Sequence, residues 1–113
     1  MARVHISEPV SETRDLIERL VERLGHELLP EERLVEADAL VFEPSSPHCV
    51  TLARRVRADR PRIALVAVSS LPVGLAGLPD GVERVTQPFQ PADLERALTA
   101  ALGAEIGRVT AVS

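Results

Sequence analysis

Two carboxylates stand where apolar segments give way to proline, Glu8 before Pro9 and Glu43 before Pro44. If the fold brought them together, such a pair could hold a hard divalent cation with water completing its shell. Other reactive side chains are spread thinly. His5, His26 and His48 fall on a strand, a helix end and a helix start, and no two have metal-ligand spacing. Cys49 is the only cysteine, which excludes an intramolecular disulfide and a cysteine metal cluster and fits a reduced, cytoplasmic setting. Adjacent helical residues point in different directions, so His48 and Cys49 do not make a nucleophile and base, and Cys49 reads as a packed thiol. All 13 basic residues are arginine, which removes any chemistry that needs a lysine ammonium or a Schiff base. Gly74, Gly77 and Gly81 lack the strand-to-helix context of a phosphate loop.

The elements that must position these residues can be read from periodicity. Arg3 to Ser7 alternates as a short strand, and Ser11 is placed to cap a helix through Leu16, Ile17, Leu20, Val21 and Leu24, stopped by Gly25. His26 to Leu29 is a brief strand, and Pro30 to Glu36 leaves room for one or two helical turns. Ala37 to Phe42 and Ile63 to Val68 are unbroken apolar runs, as strands buried on both faces require. Between them Ser45, Ser46 and Pro47 start a helix that reaches about Ala58. Ser69 to Gly81 holds two prolines and three glycines and reads as a loop. Val82 to Thr86 is the last strand, and Pro91 starts a helix closed by Gly103, with residues 104–113 a frayed tail.

Strands alternating with helices imply an open, parallel, doubly wound α/β sheet, whose ligands bind beyond the carboxyl ends of the strands. That edge gathers Glu8, Glu43, Val66 to Ser69 and Gln87. One domain, residues 1–103, accounts for the length. Phe42 and Phe89 are the only aromatics, so the core is aliphatic. Net charge is −4 with both signs interspersed, which disfavours nucleic acid and anionic membranes as partners. Arg54, Arg55, Arg57, Arg60 and Arg62 form the one basic patch, read as a solvated helix face, with docking to an acidic partner as the alternative.

In this frame the segment Thr86-Gln87-Pro88-Phe89-Gln90-Pro91-Ala92-Asp93-Leu94 resembles the strand, Lys-Pro-Phe and helix rhythm of response-regulator receiver domains, with Gln87 at the lysine position. Ala37 to Glu43 followed by Pro47, and Arg3 to Gly25, resemble two further parts of that family. The resemblance implies a flavodoxin-like, five-stranded parallel sheet with a shortened second helix and the fourth helix replaced by the Pro/Gly-rich segment. It places Glu43 at the phosphoacceptor aspartate, Glu8 and Pro9 at the acidic pair, Val66 at the switch hydroxyl, and Pro88 at the family's cis-proline. Ser69 or Ser70 would approach that hydroxyl position if the strand ran longer.

The departures from the family pattern imply a pseudo-receiver. Pro9 cannot ligate a metal, Glu43 is one methylene longer than aspartate, Val66 has no hydroxyl, and Gln87 has no charge. No lysine exists to restore it. The expectation is therefore a non-catalytic module of two-component or phosphorelay signalling that works through protein contacts. The alternative is a functional receiver with acceptor chemistry at Glu43 or a nearby serine. No cofactor is expected; Glu8 and Glu43 are the candidate ligands were magnesium to bind. Partners are expected to be proteins, a histidine kinase among them, and a homodimer is compatible with this reading. Leu71, Val73, Leu75 and Leu78 are the candidate docking patch.

Overall fold

The computed structural model describes residues 2–69 and 78–112, with side chains described through residue 103. The chain runs β1 (Arg3–Ser7), α1 (Ser11–Arg23), β2 (Glu27–Leu28), a 3-10 segment (Glu31–Glu36), β3 (Ala39–Phe42), α2 (Pro47–Asp59), β4 (Ala64–Ser69), β5 (Glu83–Thr86) and α3 (Pro91–Val112). All five strands are parallel, in the order β2-β1-β3-β4-β5. This is the flavodoxin-like arrangement.

The strand sequences explain their places. Every residue of β3 and β4 is buried, matching their unbroken apolar runs, because helices cover both faces. On one face Val4, Ile6, Val41, Val66 and Val68 pack with Ile17 and Val21 of α1 and Leu94 and Leu98 of α3. On the other, Leu40, Phe42, Leu65 and Ala67 pack with Cys49, Ala53 and Val56 of α2 and with Leu34. β5 is an edge strand in which only Val85 is buried. Each fully buried Leu or Val contributes about 1.5–3 kcal/mol relative to exposure, so these two clusters hold the layers together.

Several boundaries differ from the sequence reading. Ser11 does not cap α1: Val10 is the N-cap residue, and its carbonyl accepts from Arg14 N at 2.9 Å. Ser11 is therefore already inside the first turn, where Glu12 supplies the negative charge that favours a helix start. Ser46 does cap α2, accepting from the Cys49 amide at 3.4 Å, with Pro47 next in sequence. At the other end of α1, Gly25 has φ +90°, Gly25 N donates to Glu22 O and His26 N to Val21 O, the paired bonds of a Schellman stop.

Gly103 does not close the last helix, which continues to Val112. Gly103 keeps a negative φ, and neither proline nor a cap follows it, so one unfavourable helix residue is passed over. Ser69, expected to open the loop, is the last residue of β4. Leu71, Val73 and Leu75, with residues 70–77 of the segment expected to replace the fourth helix, lie outside the described residues. Leu78 is half-buried and packs against the cluster that contains Leu40 and Phe42. Among the described residues no helix is long and apolar enough to cross a membrane.

Candidate functional site

The parallel register brings the carboxyl ends of β1, β3, β4 and β5 to one edge. Ser7 lies opposite Phe42 and Phe42 opposite Ala67, and Ser69 opposite Thr86. Glu43 N donates to Ser7 O at 3.1 Å and Gln87 N to Ser69 O at 2.7 Å, so the ladder continues one step beyond the strands proper. Glu8, Glu43, Ser69 and Gln87 are thus held at that edge by backbone bonds and register.

Glu8 and Glu43 are 7 % and 6 % exposed. Each carboxylate turns back on its own loop: Glu8 Oε2 accepts from Val10 N at 3.5 Å and Glu43 Oε2 from Ser45 N at 3.0 Å. Burial holds the Glu8 carboxyl above its ordinary value. The Val10 amide opposes that shift, the Glu43 charge adds to it, and Arg14 opposes it again. Arg14 Nη1 donates to the Glu8 carbonyl at 3.0 Å rather than to the carboxylate. The two acids therefore sense one another across the edge, while Pro9, beside Glu8, is exposed and offers no donor or ligand.

Val66 is not at this edge. It is fully buried inside β4, opposite Val41 and in the cluster with Val4 and Ile6. The hydroxyl that β4 delivers to its carboxyl end belongs to Ser69, which is buried and level with Thr86. β4 runs to Ser69, far enough to bring that serine to the edge. Gln87 is half-buried, and the Gln87–Pro88 peptide is cis. Phe89 follows it into the core against the α1 and α3 side. Arg84 is exposed on β5, level with Ala67, and so lies back from the edge.

His48 is exposed, whereas His5, His26, Cys49 and part of the arginine patch are engaged structurally. His26 Nδ1 accepts from Ala2 N at 3.0 Å, and burial lowers the His26 pKa. His5 Nδ1 meets Leu29 O at 2.8 Å. Cys49 is 2 % exposed and accepts a bond from Ser7 Oγ at 3.2 Å. Of the arginine patch, Arg57 donates to Ile63 O and to Asp80 O, and Arg60 to Val35 O and Ala37 O. These bonds lie at the amino ends of the strands, away from the carboxylates. Sequence reasoning missed them because their acceptors are main-chain carbonyls, which carry no sequence signal.

Comparison with known proteins adds to this geometry. No family model matches the sequence, and no curated relative matches it. Solved structures do share its fold. The receiver domain of a sensor histidine kinase from Pseudomonas aeruginosa, with magnesium in its active-site cleft, superposes with a TM-score of 0.74 at 18 % identity, covering 90 % of this chain and 98 % of that one. A response regulator receiver domain protein from Methanospirillum hungatei gives 0.78 at 15 % identity, covering 96 % and 98 %. One from Clostridium thermocellum gives 0.72 at 18 % identity over 100 % of both chains. At these identities the likeness shows the fold alone, shared over 90–100 % of this chain.

Proposed function

We propose that this chain is a pseudo-receiver of two-component or phosphorelay signalling, a non-catalytic module that acts through protein contacts without conventional aspartyl phosphorylation. The observation that carries this reading is the state of Glu43. Its carboxylate is buried, one methylene longer than an aspartate, and committed to the Ser45 amide. In-line attack on a phosphoryl donor needs a positioned nucleophile, a cation between acids, and positive charge on the transferred oxygens. Here Pro9 stands where a second acid would sit, Gln87 where a lysine would, and the chain has no lysine at all. Removing one stabilising donor from such a site costs about 100-fold or more in rate, and here several parts are missing together. The partner in this reading is a signalling protein such as a histidine kinase, met through the last helix or through Ser69 to Gly81.

Beryllofluoride with magnesium, followed by amide NMR, and acetyl phosphate, followed by intact mass, test the reading. The expected outcome is no adduct and no magnesium-dependent shift at Glu8, Glu43 or Gln87. The competing reading, a functional receiver with unorthodox acceptor chemistry, draws on the delivery of Ser69 to the sheet edge. A stable adduct mapped to Glu43 or Ser69 by fragmentation would establish that reading instead.

A further inference from the structure

Above the carboxyl end of β1, where the strand order reverses, the structure holds a half-open cleft of about 380 Å³ between α1 and the starts of the 3-10 segment and α2. Its volume and position match those of small-molecule sites in doubly wound sheets. Two of its lining side chains, His5 and Glu8, are more than nine-tenths buried. Each has one polar atom committed to the backbone and another left over. A carbonyl oxygen can only accept, so His5 Nδ1 carries the proton that it shares with Leu29 O. In the neutral ring this leaves Nε2 as an acceptor that is not sealed off from solvent and has no partner among the described residues. Glu8 Oε2 faces the Val10 amide at 3.5 Å, and no cation lies within ion-pair distance of its carboxylate among the described residues.

The charges of the cleft select among ligands. Glu8, Glu18 and Glu31 line it against one guanidinium, Arg14, whose Nη1 already donates to the Glu8 carbonyl. An anion would meet three carboxylates. A wholly apolar ligand would strip water from His5 and Glu8 and return no hydrogen bond. Among the described residues no three His, Cys, Asp or Glu side chains are grouped so as to hold a metal ion. A cation with N–H donors on a short apolar stem meets the acceptors and also the walls of Leu29 and Pro30.

We propose that this cleft binds a small organic cation, a primary amine or an amidinium, through Glu8 and His5 at its floor and Glu18 and Glu31 at its mouth.

Agmatine, which carries an amine and a guanidinium, is a suitable probe, with 1,4-butanediol as an uncharged control. Titration of the full chain, followed by calorimetry and amide NMR, should give saturable agmatine binding, with shifts concentrated at His5, Glu8, Glu31 and His48, and none with butanediol. Glu8→Gln should weaken binding by about tenfold or more, since it removes a charge-assisted bond. Should Glu8→Gln not fold, Glu18→Gln and Glu31→Gln at the mouth carry the test, with Glu95→Gln on α3 as the distant control. Loss of affinity in the mouth variants alone supports the site. Absence of saturation, or an equal loss in Glu95→Gln, overturns it, because agmatine would then be responding to general surface charge.

Discussion

Glu8 and Glu43 end neighbouring strands in matching fashion, each buried and each accepting the amide of the residue two positions on, Val10 at 3.5 Å and Ser45 at 3.0 Å. Neither acid meets a side-chain cation within ion-pair distance among the described residues. Among the described residues these carboxylates are relieved directly by two backbone amides, with the Arg14 charge acting on Glu8 without an ion pair.

The buried Glu8 charge makes stability pH-dependent in a specified direction. Burial, reinforced by Glu43, raises the Glu8 carboxyl above its ordinary 4.5, so the folded chain holds this proton more tightly than the unfolded one. The associated stability is fully present below 4.5 and is lost as the pH rises through the raised folded value. Glu8→Gln is uncharged throughout and should lose less stability between pH 4.5 and 7 than the parent. Urea midpoints at the two pH values measure this; an unchanged or larger loss would contradict it. Glu43→Gln removes one of the raising influences and should lower the Glu8 carboxyl, which carbon-detected NMR titration reads directly.

The arginines that follow α2 divide by function. Arg60 donates to Val35 O and Ala37 O and thereby ties the end of α2 to the link between the 3-10 segment and β3. Arg60→Ala should cost about 1–3 kcal/mol, the range for charged hydrogen bonds to groups that are then left unmet. Arg60→Lys should recover only part, since an ammonium lacks the planar fork. Arg62 is exposed, and Arg62→Ala should stay within about 0.5 kcal/mol. Equal losses for Arg60→Ala and Arg62→Ala would show that the carbonyl bonds contribute nothing beyond charge.

What could be read from the chain before folding follows from how local each cause is. The runs Ala39-Leu40-Val41-Phe42 and Ala64 to Val68 announced buried parallel strands because burial on both faces leaves no polar position. Gly25 announced the end of α1 because a positive φ is a property of one residue. Ser11 misled, since capping depends on where the first helical bond forms, and that carbonyl belongs to Val10. Val66, given the switch-hydroxyl position by the resemblance, lies deeper in β4, because the level of a residue in the sheet is set by its partners, Val41 beside it and Thr86 opposite Ser69. The acids Glu8 and Glu43 were legible as a pair at one edge, but their turned-back carboxylates were not. Those depend on amide directions within each loop.

Gly25, at the end of α1, and Gly103, inside α3, should respond oppositely to alanine. Gly25 has φ +90°, and an added Cβ there meets nothing within 4 Å, so Gly25→Ala tests backbone conformation alone. It should destabilise by about 1–2 kcal/mol. Gly103 is also unobstructed but sits inside α3 without a positive φ, so Gly103→Ala should stabilise by about 0.5–1 kcal/mol. Thermal midpoints measured under the same conditions decide. Destabilisation by Gly103→Ala would place the end of the helix there after all.

Cys49 offers a reporter of how the α2 layer opens. Its thiol is 2 % exposed, lies among Leu40, Phe42 and Ala53, and accepts the Ser7 hydroxyl at 3.2 Å across the β1 to α2 boundary. Its burial holds a thiol reagent off in the folded chain, so labelling in native buffer should run slower than in denaturant by a factor set by local opening. Ser7→Ala removes the hydroxyl donor but keeps the sulfur packed in the aliphatic cluster. The cost should be about 1 kcal/mol or less, because both members of a weak pair lose little when one becomes apolar. Cys49→Ala removes the packed sulfur as well and leaves the buried Ser7 hydroxyl without it, which should cost more. Labelling of native Cys49 at the denatured rate would mean that the α2 layer does not shield it. Equal costs for the two substitutions would mean that the hydroxyl–sulfur bond, and not the packing of the sulfur, holds this boundary together.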